Sequence, residues 1–171
     1  DIYAPIRSGT DIAFYGGMFN YIFENERWQK EYVVNYTNAS YLVNPEFGFD
    51  DATGLFTGWD DEKKAYDTKT WTYQVAEEIP WDTETTYAWT KAPGVPEFKL
   101  PVEKVAKKDP TLQDPNCVFQ LMKKQYERYT PELVSAVTVC PQHKLVEVWE
   151  IYAASGAPEK SATILYAMGQ T

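Results

Sequence analysis

The clearest pattern of apolar and polar positions lies near the start of the chain. After the triplet Gly9-Thr10-Asp11, apolar side chains recur at the spacing of one helical face, at Ile12, Tyr15, Phe19, Ile22 and Phe23. This spacing predicts a helix that begins at the triplet. The extended run Ile2-Tyr3-Ala4-Pro5-Ile6 predicts a short strand before it, at an edge that tolerates Pro5.

Two glycines, Gly16 and Gly17, interrupt this first helical pattern. Glycine lowers helix propensity, so we expect close packing against a neighbouring backbone or a ligand to compensate. A second short helix is predicted over residues 29–36.

The helical pattern disappears over residues 45–113. Glycine, proline, aspartate and threonine punctuate this stretch, which contains four tryptophans: Trp59, Trp71, Trp81 and Trp89. It predicts a long irregular insertion with a few short extended pieces, among them one hairpin. Packing is favoured for the tryptophans, and stacking on sugars is the alternative.

Regular patterns return over residues 114–171. We predict a helix capped by Asp114 and running to about Tyr129, a short helix that begins at Thr130-Pro131, and a third from Pro141 to Gly156. A buried strand over 162–167 and a glycine turn follow. Such alternation favours an α/β fold, in which ligands bind beyond the carboxyl ends of the strands.

The overall charge narrows the classes of partner. The formal net charge is −9 and the pI is about 4.6, which argues against nucleic acid as a partner. No apolar run is long enough for a membrane span, and no secretion signal is present. The chain begins at Asp1 without a methionine, so we expect both ends to be cut by processing or by a fragment boundary.

Metal and nucleophile chemistry have little support in the sequence. Cys117, Cys140 and the single His143 do not make the ligand set of a structural zinc site. We expect buried cysteines, with a disulfide as the alternative, and a surface histidine. The carboxylate groups Asp50-Asp51, Asp60-Asp61-Glu62 and Glu77-Glu78 lack calcium-loop spacing and favour solvated loop charges. The sequence therefore predicts no metal ligand and no catalytic residue.

The Gly9-Thr10-Asp11 turn is the strongest candidate for ligand binding. Gly9 lets a ligand approach the backbone, Thr10 can cap the helix with its hydroxyl, and free N–H groups at a helix start favour a pyrophosphate. The Asp11 carboxylate suits the N–H donors of a guanine edge or ribose hydroxyls. Taken alone, the triplet favours a simple helix cap in which Asp11 complements the helix dipole.

The longer stretches carry a family resemblance. "DIYAPIRSGTDIAFYGGMFNYIFENERWQKEYVVNYTNASYLV", "GWDDEKKAYDTKTWTY", "DPTLQDPNCVFQLMKKQYERYTPE" and "ILYAMG" resemble, in order, the catalytic alpha subunits of formate dehydrogenases, in the molybdopterin oxidoreductase superfamily. The likeness is weakest over 75–108, which we interpret as a lineage-specific insertion.

The resemblance implies a fold and a chemistry. It implies that residues 1–171 are a fragment of one cofactor-binding domain, Rossmann-like in its αβα layers, with 45–113 as an irregular insertion. Such subunits oxidise formate to CO₂ at molybdenum or tungsten, which is held by two molybdopterin guanine dinucleotides and a selenocysteine or cysteine. Their 4Fe-4S cluster and catalytic residues are expected outside this chain, which alone is predicted to be inactive.

The resemblance also implies site residues and partners. Gly9, Thr10 and Asp11 match a motif that contacts one guanine dinucleotide, and Met168 with Gly169 match a second such turn. The implied partners are the remainder of the alpha subunit, an iron–sulfur beta subunit, a cytochrome subunit and formate, in anaerobic respiration in the periplasm. The rival hypothesis is a stand-alone acidic binding module that grips glycans through exposed tryptophans.

Overall fold

The computed structural model describes residues 1–79 and 103–165 of the chain. These residues form helices and three small two-stranded antiparallel sheets. The helices are α1 Asp11–Glu24, α2 Lys30–Tyr36, α3 Val118–Tyr126, α4 Pro131–Thr138 and α5 Gln142–Ala153, and a 3-10 turn spans Ala154–Gly156. The strands are β1 Phe49–Asp50, β2 Leu55–Phe56, β3 Trp59–Asp60, β4 Ala65–Tyr66, β5 Val75–Ile79 and β6 Glu103–Ala106.

The chain divides into two compact units. The first comprises Asp1–Ala39 and Phe119–Thr171, and the second comprises Ser40–Val118. In the first unit, α1, α4 and α5 pack on one another around a buried apolar cluster of Met18, Val134, Cys140, Leu145 and Trp149. Within the described ranges, none of the helices has the length and apolar character needed to cross a bilayer.

The two glycines of α1 are explained by side-chain packing. A Cβ on Gly16 would lie 2.7 Å from the ring of Tyr129, and one on Gly17 would lie 2.5 Å from the indole of Trp149. Close approach was expected, but the neighbours are side chains rather than backbone or ligand. The missing Cβ atoms let two aromatic rings lie directly against the helix.

The structure confirms the predicted helices α1, α2, α4 and α5, and each begins within one or two residues of its predicted start. Thr130 is the N-cap of α4, since its hydroxyl oxygen accepts a hydrogen bond from the Leu133 N–H, and Pro131 follows at the first helical position. Pro141 occupies the N-cap position of α5, one residue before the helix begins.

The start of α3 was wrongly predicted. Asp114 does not cap α3, because its carboxylate accepts from the N–H of Asn116 and the helix begins only at Val118. Residues 116–118 instead pair with the extended stretch around Leu42: Val43 N–H donates to Asn116 O, and Val118 N–H donates to Tyr41 O. This pairing between two distant segments of the chain occupies backbone groups that an earlier start of α3 would need.

The two predicted outer strands are not formed by the described residues. Residues 2–6 and 161–165 have no regular secondary structure, and Leu165 is 91% exposed. A strand needs hydrogen-bonding groups from a neighbour, and neither segment has them within the described ranges. Residues 166 and 167 of the second predicted strand lie outside these ranges.

The second unit has more strand pairing than its sequence suggested. β1 pairs with β2, β3 with β4 and β5 with β6, all antiparallel. Its buried residues in the described part are Ser40, Leu42, Leu112 and Cys117. Aromatic rings pack on one another around the β1–β2 and β3–β4 hairpins. They belong to Phe47, Phe49, Phe56, Trp59, Tyr66 and Trp71.

Candidate functional site

The Gly9–Asp11 turn lies at the N-terminus of α1. Gly9 has a left-handed φ of 81°, Thr10 is the N-cap residue, and Asp11 is the first residue of the helix. The carbonyl oxygen of Arg7 accepts from the Thr10 N–H at 3.2 Å and from the Thr10 hydroxyl at 2.5 Å. The Thr10 hydroxyl therefore points back into the turn and does not cap the helix, which corrects the expectation for this residue.

Several polar groups at the turn are available to a ligand. Hydrogen bonding within α1 begins at Phe14, whose N–H donates to Thr10 O at 3.1 Å. Within the described ranges, the N–H groups of Asp11, Ile12 and Ala13 have no acceptor, and the half-buried Asp11 carboxylate has no hydrogen bond or ion pair. Apart from Gly9 itself and its chain neighbours, no atom of the described residues lies within 4 Å of the position of a Cβ on Gly9. Backbone donors, one carboxylate and open space thus meet at one point.

A backbone hydrogen bond connects the residues before this turn to the end of α4. The Arg7 N–H donates to the carbonyl oxygen of Thr138 at 2.9 Å. Sequence reasoning missed Thr138, because a backbone carbonyl carries no sequence signature.

The cysteines and the histidine give no second site. Cys117 and Cys140 are both buried, as expected, and neither forms a disulfide within the described residues; burial raises the pKa of the Cys140 thiol. His143 is exposed in the first turn of α5, beside Gln142 and Glu147 at a shallow surface hollow. In the part of the chain that the structure describes, His, Cys, Asp and Glu side chains form no group that could hold a metal ion.

The loop carboxylates have local structural roles. Backbone and hydroxyl donors of Ala52 and Thr53 lower the pKa of Asp50, and Lys63 lowers that of Asp60. The strongest case is Asp109, whose pKa falls to about 2 because it accepts from the Thr111 hydroxyl and from the N–H groups of Asp114, Thr111 and Gln113. These acids organise turns, in agreement with the interpretation of Asp50 and Asp60 as loop charges.

The two described tryptophans of residues 45–113 serve packing. Trp71 packs against Phe56 and Tyr66, and its indole N–H donates to Thr57 O at 2.9 Å. Trp59 packs against Tyr66, and its indole N–H donates to Asp61 at 3.1 Å. Their polar edges are thus already paired, which favours packing over sugar binding. Trp81 and Trp89 lie outside the described residues, as do Met168 and Gly169 of the second predicted cofactor turn.

Comparison with known proteins gives a consistent result. The chain is 43% identical over 171 residues to formate dehydrogenase subunit alpha of Megalodesulfovibrio gigas, and 42% identical over 171 residues to the nitrate-inducible formate dehydrogenase major subunit of Escherichia coli. It is 41% identical over 172 residues to formate dehydrogenase 2 subunit alpha (cytochrome c-553) of Nitratidesulfovibrio vulgaris. No protein-family model matches the chain.

Each of these matches covers the whole of this chain but only 14% of the relative. The matched length includes residues 75–108, where the sequence resemblance is weakest. Across its full length, the polypeptide is similar in sequence to alpha, or major, subunits of formate dehydrogenases, and it spans about one seventh of their length.

Proposed function

We propose that this polypeptide is part of a formate dehydrogenase that oxidises formate to CO₂, and that its Gly9–Asp11 turn binds the guanine dinucleotide tail of a molybdopterin cofactor. The observation that carries the proposal is the Asp11 carboxylate beside three backbone N–H groups, none of which has a partner among the described residues, in a chain with 43% identity to a formate dehydrogenase alpha subunit.

The residues at the turn fit such a tail. A pyrophosphate suits the N–H groups of Asp11, Ile12 and Ala13 at the start of α1, because the N-terminus of a 14-residue helix carries partial positive charge. Gly9 leaves room for close approach to the backbone. The chain's net charge of −9 is no obstacle, because backbone donors rather than lysines would serve the phosphates.

The role of Asp11 follows from its charge. A carboxylate repels a phosphate, so Asp11 would face the base or the ribose and accept hydrogen bonds from guanine N–H groups or hydroxyls. Such a bond fixes the tail and takes no part in the chemistry, which the metal supplies when the cofactor is bound.

The rest of the proposal concerns the complete enzyme. Its fold here would be a Rossmann-like αβα domain of the molybdopterin oxidoreductase type, with Met168 and Gly169 at a second dinucleotide contact. The metal, its selenocysteine or cysteine ligand and a 4Fe-4S cluster would be held by other parts of the subunit. An iron–sulfur subunit, a cytochrome partner and a periplasmic location complete the proposal.

The test replaces Asp11 by alanine in the complete enzyme. A lost charged hydrogen bond is worth about 1.5–3 kcal/mol, which weakens binding of the tail about ten- to hundredfold. We expect less guanine nucleotide and less metal per purified subunit, with activity per bound metal unchanged. Glu31→Ala is the matched control, because Glu31 is the first-turn acid of α2. Full cofactor content with a collapse of activity per metal would refute the tail-binding role.

A further inference from the structure

The connection between α4 and α5 contains a strained residue. Val139 has φ 62° and ψ 12°, in the left-handed region that branched side chains rarely adopt. Its side chain is 61% exposed, so packing of the valine does not compensate for the strain. We call Thr138, Val139 and Cys140 the α4 corner. Other contacts must hold its conformation.

Two hydroxyl groups close the α4 corner. The Thr138 hydroxyl donates to Val134 O at 2.7 Å and accepts from the Cys140 N–H at 3.3 Å. The Ser135 hydroxyl donates to Cys140 O at 2.7 Å, and Val139 N–H donates to Ser135 O at 2.9 Å. Thr138 and Cys140 are each only 1% exposed. The peptide groups on both sides of Val139 are therefore fixed.

The corner directs one carbonyl toward the turn. A longer helix would use the Thr138 carbonyl oxygen internally, but here it accepts from Arg7 N–H at 2.9 Å. The Arg7 carbonyl in turn accepts both donors of Thr10. Arg7 thus joins the α4 corner to the Gly9–Asp11 turn through its own backbone N–H and carbonyl groups.

We propose that the α4 corner is a positioning element that fixes the backbone of the Gly9–Asp11 turn, with Thr138 and Ser135 as its positioning residues. The function of this positioning, to keep the turn shaped for a dinucleotide tail, rests on the proposed function. The positioning itself is a property of the fold and can be measured separately.

The experiment uses the complete enzyme and compares three threonine variants. Thr138→Val removes the corner hydroxyl and keeps the side-chain shape, and Thr138→Ser restores the hydroxyl. Thr130→Val is the matched control, because it removes a hydroxyl from the opposite end of α4. Ser135→Ala loosens the corner by a second route while raising the helix propensity of α4.

Hydrogen exchange at the Arg7 and Thr10 amides is the direct readout, and guanine nucleotide retained after gel filtration is the second. We expect Thr138→Val and Ser135→Ala to speed exchange at these amides about three- to tenfold, the effect of weakening about one hydrogen bond. Thr138→Ser should restore the original rate, and Thr130→Val should leave it unchanged. Retention of guanine nucleotide should fall only in Thr138→Val and Ser135→Ala.

Two results overturn the positioning role: unchanged exchange at Arg7 and Thr10 in Thr138→Val, or equal acceleration in Thr130→Val. A different result separates this inference from the proposed function. If exchange accelerates as expected but neither Thr138→Val nor Asp11→Ala loses guanine nucleotide, the positioning stands and the proposed ligand is wrong.

Discussion

Replacing Gly17 by alanine tests the packing of the first unit most directly. The new methyl group would lie 2.5 Å from Trp149 Cη2 and Cζ2, and 2.8 Å from Val134 Cγ2. Ordinary contact between carbon atoms lies at about 3.5–4.0 Å, so the neighbours must move by about 1 Å. Both neighbours are 0% exposed and lie in the same buried cluster, which leaves them little room to move.

Two effects of this substitution oppose each other. Alanine in place of glycine favours a helix by about 1 kcal/mol. Overpacking a close-packed core costs about 1–3 kcal/mol, and contacts this short place Gly17 at the upper end of that range. The clash therefore wins, and we expect a net destabilisation of about 2 kcal/mol.

The assay is hydrogen exchange of peptides from α1, α4 and α5 in the complete subunit. A loss of about 2 kcal/mol corresponds to exchange that is about 30-fold faster in the most protected amides. Gly48→Ala is the control, since, chain neighbours aside, a methyl group there would meet no atom of the described residues within 4 Å, and the φ of Gly48 is not positive. Trp149→Phe should relieve the clash, so the two substitutions together should cost less than their sum. Slower exchange in Gly17→Ala, or strict additivity with Trp149→Phe, would refute the reasoning.

Three further predictions follow from other contacts. Gly16→Ala should destabilise less than Gly17→Ala in the same exchange assay, because Tyr129 is only half-buried and its ring can move. Gly9→Ala and Gly54→Ala should each cost about 1 kcal/mol of backbone strain, since both glycines have positive φ and open surroundings, but only Gly9→Ala should lower guanine nucleotide content. Asp109 has a pKa lowered to about 2, so it stabilises its loop above pH 4 and loses that effect as the pH falls through 2. Asp109→Asn should therefore cost roughly 1–2 kcal/mol at neutral pH, after allowance for solvent screening, and speed pepsin cleavage within residues 40–118 at pH 4 but not below pH 2.

Local signals in the sequence determined most of the helices. The spacing of apolar residues predicted α1, and Thr130-Pro131 predicted the start of α4, because a capping hydroxyl and a proline act within one helical turn. The Gly9–Asp11 turn was predicted for the same reason, since it depends on the conformational freedom of one glycine and the helix start beside it. Its role with a ligand came from the family resemblance and is still a prediction.

Tertiary structure decided the features that depend on distant partners. The start of α3 moved to Val118 because residues 116–118 pair with the stretch around Leu42, some 75 positions earlier in the chain. The two-residue strands β1 to β4 are too short to show an alternating pattern. The reason for a glycine at position 17 became clear only with Trp149 packed against it. The Arg7–Thr138 hydrogen bond joins backbone groups of two distant segments, and no local sequence pattern predicts that pairing. Local propensity can be read one turn at a time, whereas these contacts exist only once separate segments have folded together.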